Sequence, residues 1–309
     1  MKSIKVFAPA SSANLNCGFD ILGFALNSIG DEIILQLSSK KGLRIKKITG
    51  DNGILPLDIK KNTASVAINS LLKHKNIECG LELTINKKMP LESGLGSSAA
   101  SSVAAVYALN MLLDLNLPKL ELIKYAMDGE FIASGTYHAD NVAPSMLGGI
   151  TLIRDARIPD VVQVPTPKSL FYSIIHPKLE INTKLAREIL KNYVSLKDCI
   201  TQAANIGGLV CGLCTNNYEL ISRSLTDVIV EPSRMTLIPN FKQIKESAIL
   251  AGALGFGISG SGPSLFALAD SQQVAMLVAE VMQKEFDKIN INSTKYVGII
   301  NHAGVIVVA

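Results

Sequence analysis

Tryptophan is absent from this 309-residue chain, and aromatic residues together make up only 5% of it. So few rings leave little for stacking on nucleic-acid bases. There is no basic block either, because 30 Lys and Arg against 26 Asp and Glu give a net charge of +4 spread along the chain. No nucleic-acid partner and no membrane partner is expected, and a small molecule is the expected ligand. No apolar run approaches the length of a bilayer span, and Met1-Lys2-Ser3-Ile4 leads into a strand pattern without a long apolar leader. A cytoplasmic location follows as the expectation. Five cysteines, an odd number widely spread, argue against a disulfide framework and for a reducing compartment. Cys211-Gly-Leu-Cys214 has no neighbouring histidine and no second pair, so two small core thiols on one helix face are predicted rather than a metal or redox site. His74, His176 and His302 stand apart from any motif and are read as structural or surface residues.

What the chain does have is a glycine-serine loop running into a long alanine-rich segment: Pro90-Leu91-Glu92-Ser93-Gly94-Leu95-Gly96-Ser97-Ser98-Ala99-Ala100, then small and apolar residues to about Leu115. Gly94 and Gly96 permit backbone conformations and close approaches that a side chain would block, so successive N–H groups can converge on one anion. The segment from Ser97 is rich in helix formers and free of proline, which places the loop at a helix N-terminus with a serine as its cap. A capped helix with no ligand is the plainer reading of the loop taken alone. A Walker A loop is excluded, since no lysine follows the glycines. Gly94-Leu-Gly96-Ser-Ser-Ala99 fits the letters of a dinucleotide fingerprint, with Asp114 near the ribose-acid offset. However, Lys87-Lys88-Met89-Pro90 separates the glycines from the preceding apolar run, where that fingerprint needs the strand to turn straight into them.

Strands are predicted over Ser3–Pro9, Glu32–Leu37, Leu43–Ile48, Gly80–Ile85, Ile150–Arg154, Phe171–His176 and Leu265–Ala269, with further strands across Lys295–Val308. Helices are predicted over Ala64–Lys75, capped by Asn62-Thr63, and over Lys119–Ser134, Thr183–Tyr193, Leu196–Asn216, Asn217–Leu225, Asn240–Ala253 and Gln272–Phe286. Ser11–Gly30 and Gly135–Gly149 read as loops. Mixed strands and helices in both halves give an α+β fold class. The proline-rich Asp155–Pro167 divides the chain into expected domains at 1–155 and 156–309.

Three glycine-serine stretches, at 9–23, 94–100 and 255–264, are more specific together than any is alone. Pro9-Ala-Ser-Ser-Ala-Asn14-Leu-Asn-Cys-Gly18-Phe19-Asp20-Ile-Leu-Gly23, Pro90–Ala100 and Gly257-Ile-Ser-Gly-Ser-Gly-Pro-Ser264 resemble, in order and content, the three motifs of the GHMP small-molecule kinases. The resemblance spans nearly the full length. Gly135-Thr-Tyr-His138-Ala-Asp140-Asn141-Val-Ala-Pro144 and Glu231-Pro-Ser-Arg234, with Thr183 and Arg187 on one helical face, are similar within that superfamily to the homoserine kinases.

The resemblance implies a ribosomal protein S5 domain 2-like N-terminal ATP-binding domain and a ferredoxin-like C-terminal domain. It implies ATP-dependent phosphorylation of the side-chain hydroxyl of L-homoserine, a step toward threonine, by a homodimer. It also implies roles for particular residues. Pro90, Glu92, Ser93, Gly94, Leu95, Gly96, Ser97, Ser98, Ala99 and Ala100 would hold ATP, with Asn62 and Lys87 near the nucleotide and Gly260 and Ser261 closing from the C-terminal half. Ser98 and Glu130 would carry Mg2+, which favours hydroxyl and carboxylate oxygens and keeps waters. Arg187 and Arg234 would take the substrate carboxylate, since guanidinium offers planar paired donors. Asn14 and Asp20 would accept from its ammonium, and Thr183 and His138 would shape the pocket. Asn141 would face the reacting hydroxyl in a direct transfer, with Asp140 as the competing candidate for a general base. Another GHMP kinase acting on a different small alcohol, a catalytically silent nucleotide sensor and an NAD-dependent oxidoreductase stand as the alternatives.

Overall fold

The computed structural model describes residues 2–308. The first half runs β1 (Ser3–Ala13), β2 (Leu22–Ser38), β3 (Gly42–Thr49), α1 (Thr63–His74), β4 (Gly80–Asn86), α2 (Ser97–Leu112), α3 (Lys119–Ser134), α4 (Val142–Leu147), β5 (Ile150–Asp155) and β6 (Asp160–Val164). The second half runs β7 (Phe171–Pro177), α5 (Thr183–Glu188), α6 (Leu196–Thr215), α7 (Tyr218–Ser224), α8 (Glu231–Arg234), α9 (Phe241–Leu250), β8 (Gly255–Ile258), β9 (Leu265–Ala269), α10 (Gln272–Asp287), β10 (Ser293–Ile299) and β11 (Ile306–Val308).

The first sheet has the order β11-β1-β2-β4-β3, with β5 joined to β2 and β6 to β5, and the second has the order β10-β7-β9-β8. In the second half, strands taken in chain order as first to fourth lie 4-1-3-2 and are antiparallel, the ferredoxin-like arrangement. The fold class is therefore α+β, as expected. The expected division at 155/156 falls inside the β5–β6 hairpin, whose second strand adds to the first sheet. The last strand, β11, also returns to the first sheet by pairing with β1.

Ser11–Gly30, expected as loop, is mostly strand. β1 runs on to Ala13 and β2 begins at Leu22, pairing Ser11–Ala13 with Gly23–Ala25 beyond a register shift at Pro9/Ser11. Buried backbone must pair whatever its side chains, and the small polar residues here allow neighbouring loops to approach closely.

Helix α2 is the centre of the first half. It is built mainly of Ala, Ser, Val and Leu with no charge, and 13 of its residues are buried, so little of it faces solvent. Its small side chains let α1, α3, β1 and β2 close around it, and Gly129 of α3 sits where a Cβ would come within 2.6 Å of the Ser102 hydroxyl. The first apolar core continues across the junction of the halves through Phe24, which meets the Phe266 and Tyr172 rings at 5.6 and 6.1 Å. A second core lies between the ferredoxin-like sheet and α9 and α10.

Cys211 and Cys214 are exposed, not core thiols. Their spacing put them on one face, but α6 buries little beyond Gln202, Leu209, Gly212 and Leu213, and that face belongs to other positions. Among the described residues, no helix is long and apolar enough to cross a membrane.

Candidate active site

The loop before α2 is folded by its glycines. Gly94 and Gly96 have φ of +75° and +65°, and Gly96 itself occupies the N-cap position with no side-chain cap. The expected serine cap is thus replaced by a left-handed glycine, which frees both following hydroxyls. Ser97 Oγ lies 3.3 Å from Asp31 Oδ2, and Ser98 Oγ donates to Glu130 Oε1 at 2.9 Å. The other oxygen of Glu130 is buried with no hydrogen-bond partner among the described residues. Burial pushes this carboxyl up to about 7, against the opposing pull of the Ser98 hydroxyl and the Lys87 ammonium.

The other glycine-serine stretches press directly on this loop. A Cβ at Gly96 would stand 2.3 Å from Ser11 Oγ and 2.8 Å from Asn141 Oδ1, while one at Gly94 would stand 2.4 Å from the carbonyl of Ser259. Ser259 Oγ donates to the Gly94 carbonyl at 2.7 Å, and Ser11 N–H donates to the Leu95 carbonyl at 3.1 Å. Gly260 and Ser261 lie in the β8–β9 turn, so the second half reaches the loop through that turn. Asn141, just before α4, accepts from Ser11 Oγ at 2.9 Å. That contact turns its Nδ2 away from Ser11.

Beyond the loop lies a cluster of charge. Asn14, Leu15 and Asn16 all have positive φ, as does Asp20. Three consecutive left-handed residues without glycine mark a strained turn, held here from both sides. Asn16 Nδ2 donates to the carbonyls of Leu225 and Phe256, Asn14 Nδ2 donates to that of Gly260, and Asn14 Oδ1 accepts from Asp20 N–H at 3.1 Å. Arg187 Nη2 reaches both oxygens of Asp20, at 2.9 and 3.1 Å, and His138 Nε2 at 3.0 Å. Thr183 Oγ1 lies 3.3 Å from Ser261 Oγ, which places α5 against the β8–β9 turn.

Arg234 is only 4% exposed. Its Nε donates to the Ala186 carbonyl at 3.0 Å and its Nη1 to the Gly260 carbonyl at 2.8 Å, yet among the described residues it forms no ion pair. Burial, with Arg187 close by, brings its guanidinium down to about 10, which still leaves it charged at neutral pH. Burial likewise lowers His138, with Asp20 opposing and the two arginines adding to the shift, so its neutral form is favoured. Asp140 is buried too and is pushed up to about 7 by desolvation and by the charges of Asp20 and Glu130.

Two residues expected near the nucleotide are engaged elsewhere. Lys87 is buried in an ion pair with Asp31 and donates to the Ser97 carbonyl and Ser101 Oγ, both at 2.8 Å, so its three donors are used beneath the loop. Asn62 caps α1 by accepting from Ala64 N–H, and its amide donates to the Pro56 carbonyl. The fold thus brings together Ser98, Glu130, Asn141 and the loop with Asn14, Asp20, His138, Thr183, Arg187, Arg234, Gly260 and Ser261.

Known proteins share this frame. Residues 62–149 match the family model of the GHMP kinases N terminal domain, and residues 209–288 that of the GHMP kinases C terminal. A homoserine kinase of Chlorobium phaeovibrioides is 47% identical, the match covering 93% of this chain and 92% of that one. The chain belongs to the homoserine kinase family of the GHMP kinases. A homoserine kinase of Xylella fastidiosa is 38% identical, covering 97% of this chain and 92% of its own length. The crystal structure of homoserine kinase from Cytophaga hutchinsonii has a TM-score of 0.97 at 52% identity, covering 100% of this chain and 98% of that one. A mevalonate kinase from L. major, in complex with R-mevalonate, is 17% identical with a TM-score of 0.72 over 97% and 96% of the two chains, a likeness of fold alone.

In this GHMP kinase several site contacts went unread in the sequence. Ser11 and Ser259, which grip the loop and Asn141, lie inside the quoted glycine-serine stretches, so the signal was present but gave no reason to single them out. Asp227 had no motif at all. It accepts from the backbone N–H groups of Ile229, Val230 and Glu231 and from Gln202, and so fixes the start of α8, which carries Arg234.

Proposed function

We propose that the enzyme transfers the γ-phosphoryl group of ATP to the side-chain hydroxyl of L-homoserine, giving ADP and O-phospho-L-homoserine. The observation that carries this reading is Arg234: a buried, charged guanidinium with no ion-pair partner among the described residues, close to Arg187 and bonded to the Gly260 carbonyl in the turn that packs on the loop. A buried cation held this way is costly unless a ligand carboxylate completes it. Mevalonate also carries a carboxylate, but it has no ammonium to use Asp20 and Asn14.

In this reading the N–H groups of Gly94 to Ala99 cradle the polyphosphate at the α2 N-terminus, Ala100 closing the first helical turn by donating to the Gly96 carbonyl, with Pro90, Glu92 and Ser93 shaping the loop and Gly260 and Ser261 closing over it. Asn62 and Lys87 act through the frame, one starting α1 and the other tying Asp31 to the first turn of α2. Ser98 and the unpartnered oxygen of Glu130 fit Mg2+, which needs few protein ligands when phosphates and waters supply the rest. When bound, the ion neutralises charge on the transferring phosphoryl group.

The chain's own residues do the positioning. Arg234 and Arg187 pair with the substrate carboxylate, Asp20 and Asn14 accept from the ammonium, and Thr183 and neutral His138 line the remainder. Asn141, oriented by Ser11, places Nδ2 at the reacting hydroxyl. An amide cannot take a proton, so the hydroxyl proton passes to the phosphoryl oxygens or to water as the new O–P bond forms and the bond to the β-phosphate oxygen breaks. A second reading has Asp140 as general base, because a carboxyl raised to about 7 suits that task. Separate N-terminal ATP-binding and C-terminal halves, a homodimer and a cytoplasmic location complete the proposal; the resemblance alone supports the homodimer, and the odd, dispersed cysteines support the location.

The test is a coupled kinase assay offering L-homoserine, L-serine and mevalonate as competing acceptors, with product mass locating the phosphoryl group. Phospho-homoserine should dominate. Preferential turnover of mevalonate, or nucleotide binding with no turnover, would favour the alternatives.

A further inference from the structure

Phe19 is a half-buried aromatic residue that belongs to neither apolar core of the protein. Its neighbours are cations. The guanidinium carbon of Arg234 lies 4.9 Å from the centre of its ring, and that of Arg187 lies 5.4 Å from the same centre. Both distances are within the range at which the negative face of an aromatic ring attracts a cation, and the attraction is larger where the cation is desolvated, as Arg234 is. Two guanidiniums held close repel each other, and the effect of Arg187 on Arg234 is one of the causes that lower the latter. Asp20, the next residue along, is ion-paired with Arg187 and acts on Arg234 only from a distance. The Phe19 ring lies against both.

We infer that Phe19 is a positioning residue, its ring setting the Arg187 and Arg234 guanidiniums so that they converge on one ligand carboxylate. This rests on the carboxylate clamp proposed above and goes beyond it, because it explains what holds Arg234, which has no ion pair among the described residues, near the Asp20-paired Arg187 before a substrate carboxylate arrives. The strained turn supports the same role. Asn14 is tied to Asp20 and Gly260, and Asn16 to Leu225 and Phe256, so Phe19 is carried on a backbone fixed from both halves. Phe19 and Arg234 also share the lining of one small cavity with Asn14 and Gly260.

The experiment compares the wild type with Phe19→Leu and Phe19→Tyr on two acceptors: L-homoserine, and 3-aminopropan-1-ol, which keeps the hydroxyl and amine but lacks the carboxylate. Phe19→Leu should raise the homoserine KM roughly tenfold, with kcat, the ATP KM and turnover of the amino alcohol unchanged, and Phe19→Tyr should restore the KM. Phenylalanines with one, two and three fluorines, placed at position 19 alone, keep the shape while draining the ring face, so they cover the case of a leucine variant that does not fold. Their homoserine KM should rise stepwise. A flat fluorine series, an unchanged KM in Phe19→Leu, or equal loss on both acceptors overturns the role of Phe19 while leaving the clamp standing. A wild type that does not discriminate between the acceptors overturns the clamp itself, and the inference with it.

Discussion

Ser98 Oγ and Glu130 Oε1 are hydrogen-bonded at 2.9 Å, and the second Glu130 oxygen is buried with nothing to accept from. This carboxyl is raised from 4.5 to about 7, chiefly by burial. The folded state therefore keeps a proton that the unfolded chain has already lost, and the stability this contributes disappears as pH rises through 7. Asp140, raised to about 7 as well, acts in the same direction. His138 and His176, both lowered by burial, act in the opposite sense but below about pH 6.5. The melting temperature of ligand-free enzyme should therefore fall between pH 6.5 and 8, less so in Glu130→Gln, and Mg2+ with nucleotide should offset the fall. Identical slopes for wild type and variant would count against this account.

Gly96→Ala should cut kcat/KM for ATP roughly 100-fold, because its Cβ would sit 2.3 Å from Ser11 Oγ and 2.8 Å from Asn141 Oδ1. Gly135 also has a positive φ, +72°, but a Cβ there would meet nothing within 4 Å. Gly135→Ala should cost about 1–2 kcal/mol of stability with activity retained, which separates backbone strain from close approach. Equal kinetic loss in both would refute the distinction.

Arg234→Ala should raise the homoserine KM roughly 100-fold with the ATP KM nearly intact. Arg234→Lys should recover only part of this, since lysine cannot make the paired contact or stack on Phe19. A small loss of melting temperature should accompany both, from the bonds to the Ala186 and Gly260 carbonyls. Equal loss for both substrates would reject the clamp.

Asp31 and Lys87 are both buried, so removing either leaves the other unpaired. Lys87→Met should destabilise by about 3–5 kcal/mol, and adding Asp31→Leu should return much of that in chemical denaturation. The ATP KM should follow stability, because Lys87 bonds the Ser97 carbonyl at the start of α2. A double variant no more stable than the single one would contradict the pairing.

Asp140→Asn should keep kcat within about threefold, while Asn141→Ala should lose roughly 100-fold. The reverse pattern, with the acid limb near pH 7 vanishing from the rate profile of Asp140→Asn, would make Asp140 the base.

Much of the frame was open to sequence reading because it rests on local spacing. The amphipathic pattern of α1 and α10, the Asn62 cap and the alternation of β4 all fall within a few residues. The loop glycines were equally legible, since positive φ is a local demand. The strand character of Ser11–Gly30 was not, because a polar stretch becomes strand only through its partner. The same holds for β6 and for β11, which closes the first sheet from the far end of the chain.

The site divides along the same line. Residue types and motif order identified the groups available: a glycine-serine loop before a helix, a serine and an acid, two arginines, a short run of asparagines. What each group touches depended on contacts between distant parts of the chain. Ser98 meets Glu130 rather than capping its helix, Lys87 turns inward to Asp31, Arg187 reaches Asp20, and Arg234 is buried with no ion pair among the described residues. Local chemistry fixes which conformations and charges a segment can offer, whereas burial and pairing are settled where segments from both halves pack, and there the pKa values and open donors of this cleft are set.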